Sequence, residues 1–187
     1  IEGLIINYTV FMAFGEVTCM IFGGLSPVFT KTVGSKRMAF FWSALLCLVL
    51  SIAFFFIPMS PDYIWVMIAL VILTSIGIGI YSPLMWSMYA DVADYHTEHF
   101  GTSATGLIFS SGTMSQKFGT AISGSLIALF LGWAGANMIT DKMGNTVIDP
   151  TSITDSVLMM VWSLFSLFPA AIAFLLMVLS YKFPIKK

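Results

Sequence analysis

Apolar residues fill five stretches of the chain, near 4–29, 38–57, 63–90, 104–133 and 155–181, and polar punctuation separates them. A helix crosses a hydrocarbon core of about 30 Å with about 20 residues, so each stretch is long enough to span a membrane. The pattern predicts an all-α, polytopic membrane protein with five transmembrane helices. "TKTVGSKR" joins a glycine to lysines and an arginine, "PMSPD" holds two prolines, and "ADVADYHTEHFG" is polar and acidic. The last separator, "AGANMITDKMGNTVIDPTSITDS", reads as a longer turn-rich loop, with Ser152 and Thr154 suited to cap the final helix.

The third stretch would be about 42 Å long as a helix, so it must tilt, bend or project beyond the bilayer. Pro83 is its natural bend. Proline has no amide hydrogen for the carbonyl four residues back, and that carbonyl belongs to Gly79, which tolerates distortion. Gly77 and Gly79 also allow a neighbouring helix to approach closely. Gly79 and Pro83 are therefore a candidate hinge, with plain helix packing as the alternative. Tyr81, Trp86 and Tyr89 cluster near Pro83 and read as interfacial or packing aromatics. Trp65, Trp133 and Trp162, near span ends, need no special role.

Cations orient the spans. Lys31, Lys36, Arg37, Lys182, Lys186 and Lys187 fall on one side, Lys142 on the other, and Lys117 within the fourth span. The positive-inside bias places the 30–37 and 91–103 loops and the C-terminus in the cytoplasm. The opening "IEGLIINYTV" has neither an initiator Met nor a basic segment before a cleavage site, so it reads as the continuation of a longer chain.

Composition agrees with the spans. The chain is 9% charged and 58% hydrophobic, with a mean hydropathy of +0.96. Ordinary soluble domains are about a quarter charged, so the principal solvent here is the lipid bilayer. A net charge of −1 and the absence of a basic run exclude a nucleic-acid partner. Cys19 and Cys47 both sit in apolar runs and read as small buried hydrophobes. No metal-ligand spacing and no nucleophile–histidine arrangement appears. Asp91 and Asp94, three residues apart on one segment, cannot converge as a catalytic dyad. The chain reads as no enzyme, with no metal and no cofactor.

Two charges remain inside the spans. A lysine at mid-span costs about 2.5–3.5 kcal/mol of insertion free energy, against about 0.3–0.6 returned by each Leu, Ile, Phe or Val. At helical spacing Gly106, Ser110, Thr113, Thr120 and Gly124 share the face of Lys117. A second strip, Ser111, Ser115, Gly119 and Ser123, repeats a small residue every fourth position, as close packing requires. The fourth span is therefore expected inside a bundle, with its polar strip and the nearby Gln116 turned to a cavity. Glu16 in the first span lies at a similar depth, about 20 Å from the same boundary. The two charges either pair with each other or find separate partners. Intramembrane charges commonly mark a transport or proton path.

The stretch "ADVADYHTEHFGTSATGLIFSSGTMSQKFGTA" resembles the glycoside–pentoside–hexuronide:cation symporters of the major facilitator superfamily. The matching positions are Asp91, Asp94, Tyr95, Gly101, Gly106, Ser110, Lys117 and Gly119. "LSPVFTKTVGSKRMAFF" is similar to the superfamily's loop between helices eight and nine. The resemblance implies that residues 1–187 form most of the C-terminal half of a 12-helix transporter, with the N-terminal helical half absent. It further implies symport of a sugar or glycoside with sodium or proton as coupling cation, by alternating access, in a plasma membrane such as the bacterial inner membrane. An uncoupled facilitator or an exporter of the same fold is the alternative. By the same resemblance Lys117 and Thr113 face the substrate and cation pathway; Glu16, Ser110 and Gln116 are further candidates for that pathway.

One departure stands out. The family's turn near 99–103 is usually basic, whereas this chain has His99, Phe100, Gly101, Thr102 and Ser103. Asp91 and Asp94, beside Tyr95, thus lack local cations. Lys36 and Arg37 are the expected partners, forming a cytoplasmic gate or latch. His96 and His99 read as solvated loop residues, with pH sensing as the alternative.

Overall fold

In the computed structural model residues 2–58, 61–140 and 146–182 are described. Among them, five long helices carry the fold: α1 (Glu2–Val33), α2 (Lys36–Phe55), α3 (Ile64–Phe100), α4 (Thr105–Trp133) and α5 (Asp155–Lys182). A residue of extended backbone, Ser35, starts α2, its side chain accepting from the Met38 amide at 3.2 Å. Two glycines stop helices where only glycine is comfortable: Gly34 ends α1 at φ 88° and Gly101 ends α3 at φ 68°.

The α3 boundary corrects the expectation of a loop at 91–103. Nothing in "ADVADYHTEHF" breaks a helix, and its polar side chains are tolerated once the helix has left hydrocarbon, so α3 continues to Phe100. At 37 residues it is about 55 Å long, well beyond the membrane thickness. The helix also runs on through Pro83.

Small residues set the packing. A Cβ on Gly79 would lie 2.6 Å from the Cys19 carbonyl oxygen, and one on Gly77 would lie 2.5 Å from Cys47 Sγ. These glycines let α1 and α2 close on α3. Buried Ser26 ties α1 to α3 by donating to the Ile80 carbonyl at 3.1 Å. The most extensive contact is between α2 and α5, while Ala39 of α2 packs with Ile80 and Leu84 of α3 and the Ser43 carbonyl faces Gly77. Trp162 has a role the sequence did not suggest. Its ring lies 4.9 Å from that of Phe54, and its Nε1 donates to the Phe55 carbonyl at 3.3 Å, pinning α5 to the end of α2.

The α4–α5 connection contains a short antiparallel pair, β1 (Met138–Thr140) and β2 (Thr146–Ile148), with Ile139 opposite Val147. Thr154 caps α5 as expected, accepting from the Val157 amide at 3.4 Å. Ser152 does not. It accepts instead from the Asn137 amide at 3.0 Å and so ties together the residues flanking the strand pair. Asp149 accepts from the Thr151 amide at 2.9 Å, which holds its carboxyl below the usual carboxylate range.

Cross-links at one end confirm which termini lie together. Lys36 at the start of α2 meets Asp91 on α3, and Arg37 meets Tyr181 near the end of α5. Lys31, Lys36, Arg37 and Lys182 thus share one end of the bundle. Lys142, Lys186 and Lys187 lie outside the described residues.

Candidate functional site

Among the described residues, α4 is the long helix least covered by the rest of the chain. Only Gly112 and Leu131 of its 29 residues are buried. It is also the one long helix whose composition falls short of a membrane span, while α2, α3, α5 and Met12–Val33 of α1 qualify by length and hydropathy. The deficit comes from its serines, threonines and glycines and from Lys117. The expectation that this segment lies inside a bundle is not met within this chain: α4 stands at the edge.

Its attachment is narrow. A Cβ on Gly112 would lie 2.7 Å from the Tyr89 ring, so the glycine admits that ring. Trp86 stacks on Phe109 with centroids 6.3 Å apart, and Tyr89 meets Trp86 edge-on at 5.6 Å. The aromatics near Pro83 are therefore the α3–α4 contact. A largely apolar cavity of about 540 Å³ adjoins it, lined on α4 by Ile108, Ser111, Gly112 and Ser115 and closed by side chains of α2, α3 and α5.

The expected packing strip is thus only partly used. Ser111 and Ser115 border the cavity, whereas Gly119 has nothing within 4 Å of a Cβ position. The residue that receives a neighbour is Gly112, one position off the strip. Sequence spacing alone could not choose between them, since both faces carry small residues.

The Lys117 strip lies on the opposite side of α4, because at 100° per residue it is about half a turn from the cavity face. Gly106 and Gly124 have nothing within 4 Å of a Cβ, and Ser110, Thr113, Gln116, Lys117 and Thr120 are all exposed. Ser110 donates to the Leu107 carbonyl at 3.0 Å, and Thr113 to those of Phe109 and Ser110 at 3.1 and 2.9 Å. Each hydroxyl spends its hydrogen within the helix and keeps acceptor lone pairs free. The strip therefore presents hydroxyl acceptors, one amide and one ammonium, a set matched to a hydroxyl-rich solute.

Glu16 is exposed on α1 and makes no ion pair with Lys117. Cys19, one turn further along, rides against Gly79 of α3, whereas Lys117 points away from α3. The direct pair permitted by depth is not formed in this arrangement.

At the basic end, one of the two expected ion pairs forms. Lys36 Nζ reaches both carboxylate oxygens of Asp91 at 2.8 Å, and Asp91 is buried at 9% relative exposure. The second pair does not form. Arg37 is turned about 100° around α2 from Lys36 and faces the end of α5 instead. There it donates to the Tyr181 carbonyl and sits 5.4 Å over the Tyr181 ring. Asp94 stays exposed, and Tyr95 stacks on His99 at 3.9 Å. Gly79, read as half of a hinge, is occupied by the α1 crossing, while Pro83 is exposed with its ring 3.9 Å from a Cβ position on Gly23. The histidines are not loop residues: both lie on the last turns of α3 and are hydrogen-bonded to carbonyls.

With this geometry in place, comparison with known proteins gives a consistent result. Residues 5–187 match the family model described as MFS/sugar transport protein. An uncharacterized 29.9 kDa protein of Pseudescherichia vulneris is 39% identical over 101 residues, covering 54% of this chain and 36% of that protein. The putative glycoside/cation symporter YagG of Escherichia coli strain K12 is 29% identical over 121 residues, 61% of this chain and 26% of its own length. The inner membrane symporter YicJ of the same organism is 30% identical over 100 residues, 54% of this chain and 21% of its own. The chain thus spans well under half the length of these curated relatives. No solved structure matches it.

Proposed function

We propose, from the premise that this chain belongs to the MFS/sugar transport protein family, that it forms part of one helical half of a cation-coupled glycoside symporter. The single observation carrying this reading is the exposed polar strip of α4, centred on Lys117 and turned away from the other helices of the chain. In lipid such a face is costly. Against a second helical half it becomes one wall of a wet pathway near mid-membrane, where secondary transporters hold their substrates.

In that pathway the Lys117 ammonium donates to substrate oxygens, and Ser110 and Thr113 accept from substrate hydroxyls. Gln116 extends the polar set, and Glu16 at matching depth offsets part of the lysine's charge. Lys36 and Asp91 fasten the α1–α2 turn to α3 at the basic end, whose cations support a cytoplasmic position. Asp94, Tyr95 and Arg37 lie around that fastening. Pro83 supplies the point where α3 flexes. The names of the symporter relatives support a glycoside as solute and a cation as driver.

Uptake of labelled glycosides into vesicles holding the full-length protein tests the reading. Accumulation driven by a sodium or proton gradient supports it. Uptake that only equilibrates would identify an uncoupled facilitator, and no glycoside uptake under any gradient would contradict the assignment.

A further inference from the structure

His96 sits one turn before the end of α3, and its Nδ1 lies 2.9 Å from the carbonyl oxygen of Thr102, beyond the left-handed Gly101. A carbonyl only accepts, so Nδ1 carries the hydrogen. The ring also packs on Phe100 at 4.9 Å. This bond closes the four-residue turn 101–104 that leads into α4. The same turn holds one more side-chain bond, between the Ser103 and Thr105 hydroxyls at 3.2 Å. Ala104 at its start has no capping side chain, and the helix touches α3 chiefly through Tyr89, Trp86, Phe109 and Gly112.

We propose that His96 is a positioning residue, a proton-dependent clamp on the α3–α4 turn that fixes how α4, and with it Lys117, is presented to the pathway. An imidazolium donates from both nitrogens, so it always satisfies the Thr102 carbonyl. A neutral ring does so in only one of its two tautomers. The cationic bond is also charge-assisted, and a positive charge at the C-terminal end of α3 is favoured by the helix dipole. A charged ring therefore holds the clamp closed, and a neutral ring loosens it.

The surrounding charges are few. On α3, His99 donates to the Tyr95 carbonyl at 3.0 Å, and Asp94 and Glu98 flank the ring in sequence. From α2, Lys36 is held by Asp91. The first turn of α4, Thr105 to Ile108, carries no titratable group.

The test is a spin-label distance measurement in the full-length protein in liposomes. Labels are placed by Thr97→Cys on α3 and Phe118→Cys on α4, with Cys19→Ser as background and Cys47 left buried. The wild-type histidine should give a narrow distance distribution at about pH 5.5 and a broader one at about pH 8. His96→Asn, whose amide nitrogen replaces Nδ1, should stay narrow at both. His96→Gln, whose amide reaches the Nε2 position, should stay broad at both. A distribution that ignores pH, or His96→Gln behaving like His96→Asn, would overturn the clamp. Glycoside uptake as a function of pH gives the second readout, and His96→Asn should flatten the profile relative to the parent. The uptake readout rests on the symporter reading; the distances do not, so failure of one is distinguishable from failure of the other.

Discussion

Lys117 is the residue on which the proposed chemistry rests, and its exposure on α4 makes it easy to probe without disturbing packing. Lys117→Met should lower glycoside uptake by about tenfold or more, the loss of one charged hydrogen bond being worth about 1.5–3 kcal/mol. The variant should still insert, since a costly charge is removed. Unchanged uptake would remove Lys117 from the pathway. Lys36 and Asp91 make a different kind of pair, bidentate and partly covered, with side-chain exposures of 30% and 12%. A double-mutant cycle with Lys36→Met and Asp91→Asn should give a coupling of about 1 kcal/mol, the upper end for exposed pairs. The same cycle with Arg37 and Asp94 should give none. At this scale the sequence singled out the charges but not how each is aimed. Lys36 and Arg37 are adjacent, and one step around a helix sends them to α3 and α5 respectively.

Among the elements, α3 is the one against which α1 and α2 are assembled, and its glycines differ in what they touch. Gly79→Ala pushes a methyl into the backbone of α1 at Cys19, which cannot rotate away. It should cost about 1–3 kcal/mol and lower the thermal unfolding temperature in detergent. Gly112→Ala meets only the Tyr89 ring, so its effect should be smaller and be relieved by Tyr89→Leu. Equal losses for the two would mean that backbone contact at Gly79 is not what limits the α1–α3 approach. Hydrophobic periodicity located all five helices because length and apolarity are local properties. It misplaced the end of α3 because a polar helix leaving the membrane and a polar loop have similar compositions. Only Gly101 marks the stop. The strand pair 138–140 and 146–148 was missed for a related reason: its strands are three residues each, too short for any alternation to register.

For the molecule as a whole, the helices do not share their burial evenly. α2, α3 and α1 interlock through small residues, α2 and α5 pack along their lengths, and α4 is left with one face on a cavity and the other open. Part of this was legible: the polar strip, its depth and its mismatch with lipid all follow from residues 104–133. Its placement at the edge was not, because composition and spacing do not say which side of a helix its neighbours occupy. The account therefore turns on whether the open face of α4 borders water in the assembled transporter. Lys117→Cys in a Cys19→Ser background, treated with a membrane-impermeant thiol reagent from each side in turn, measures this directly. Labelling from at least one side, slowed by a transported glycoside, is the predicted result. A thiol that reacts from neither side, with or without solute, would contradict it.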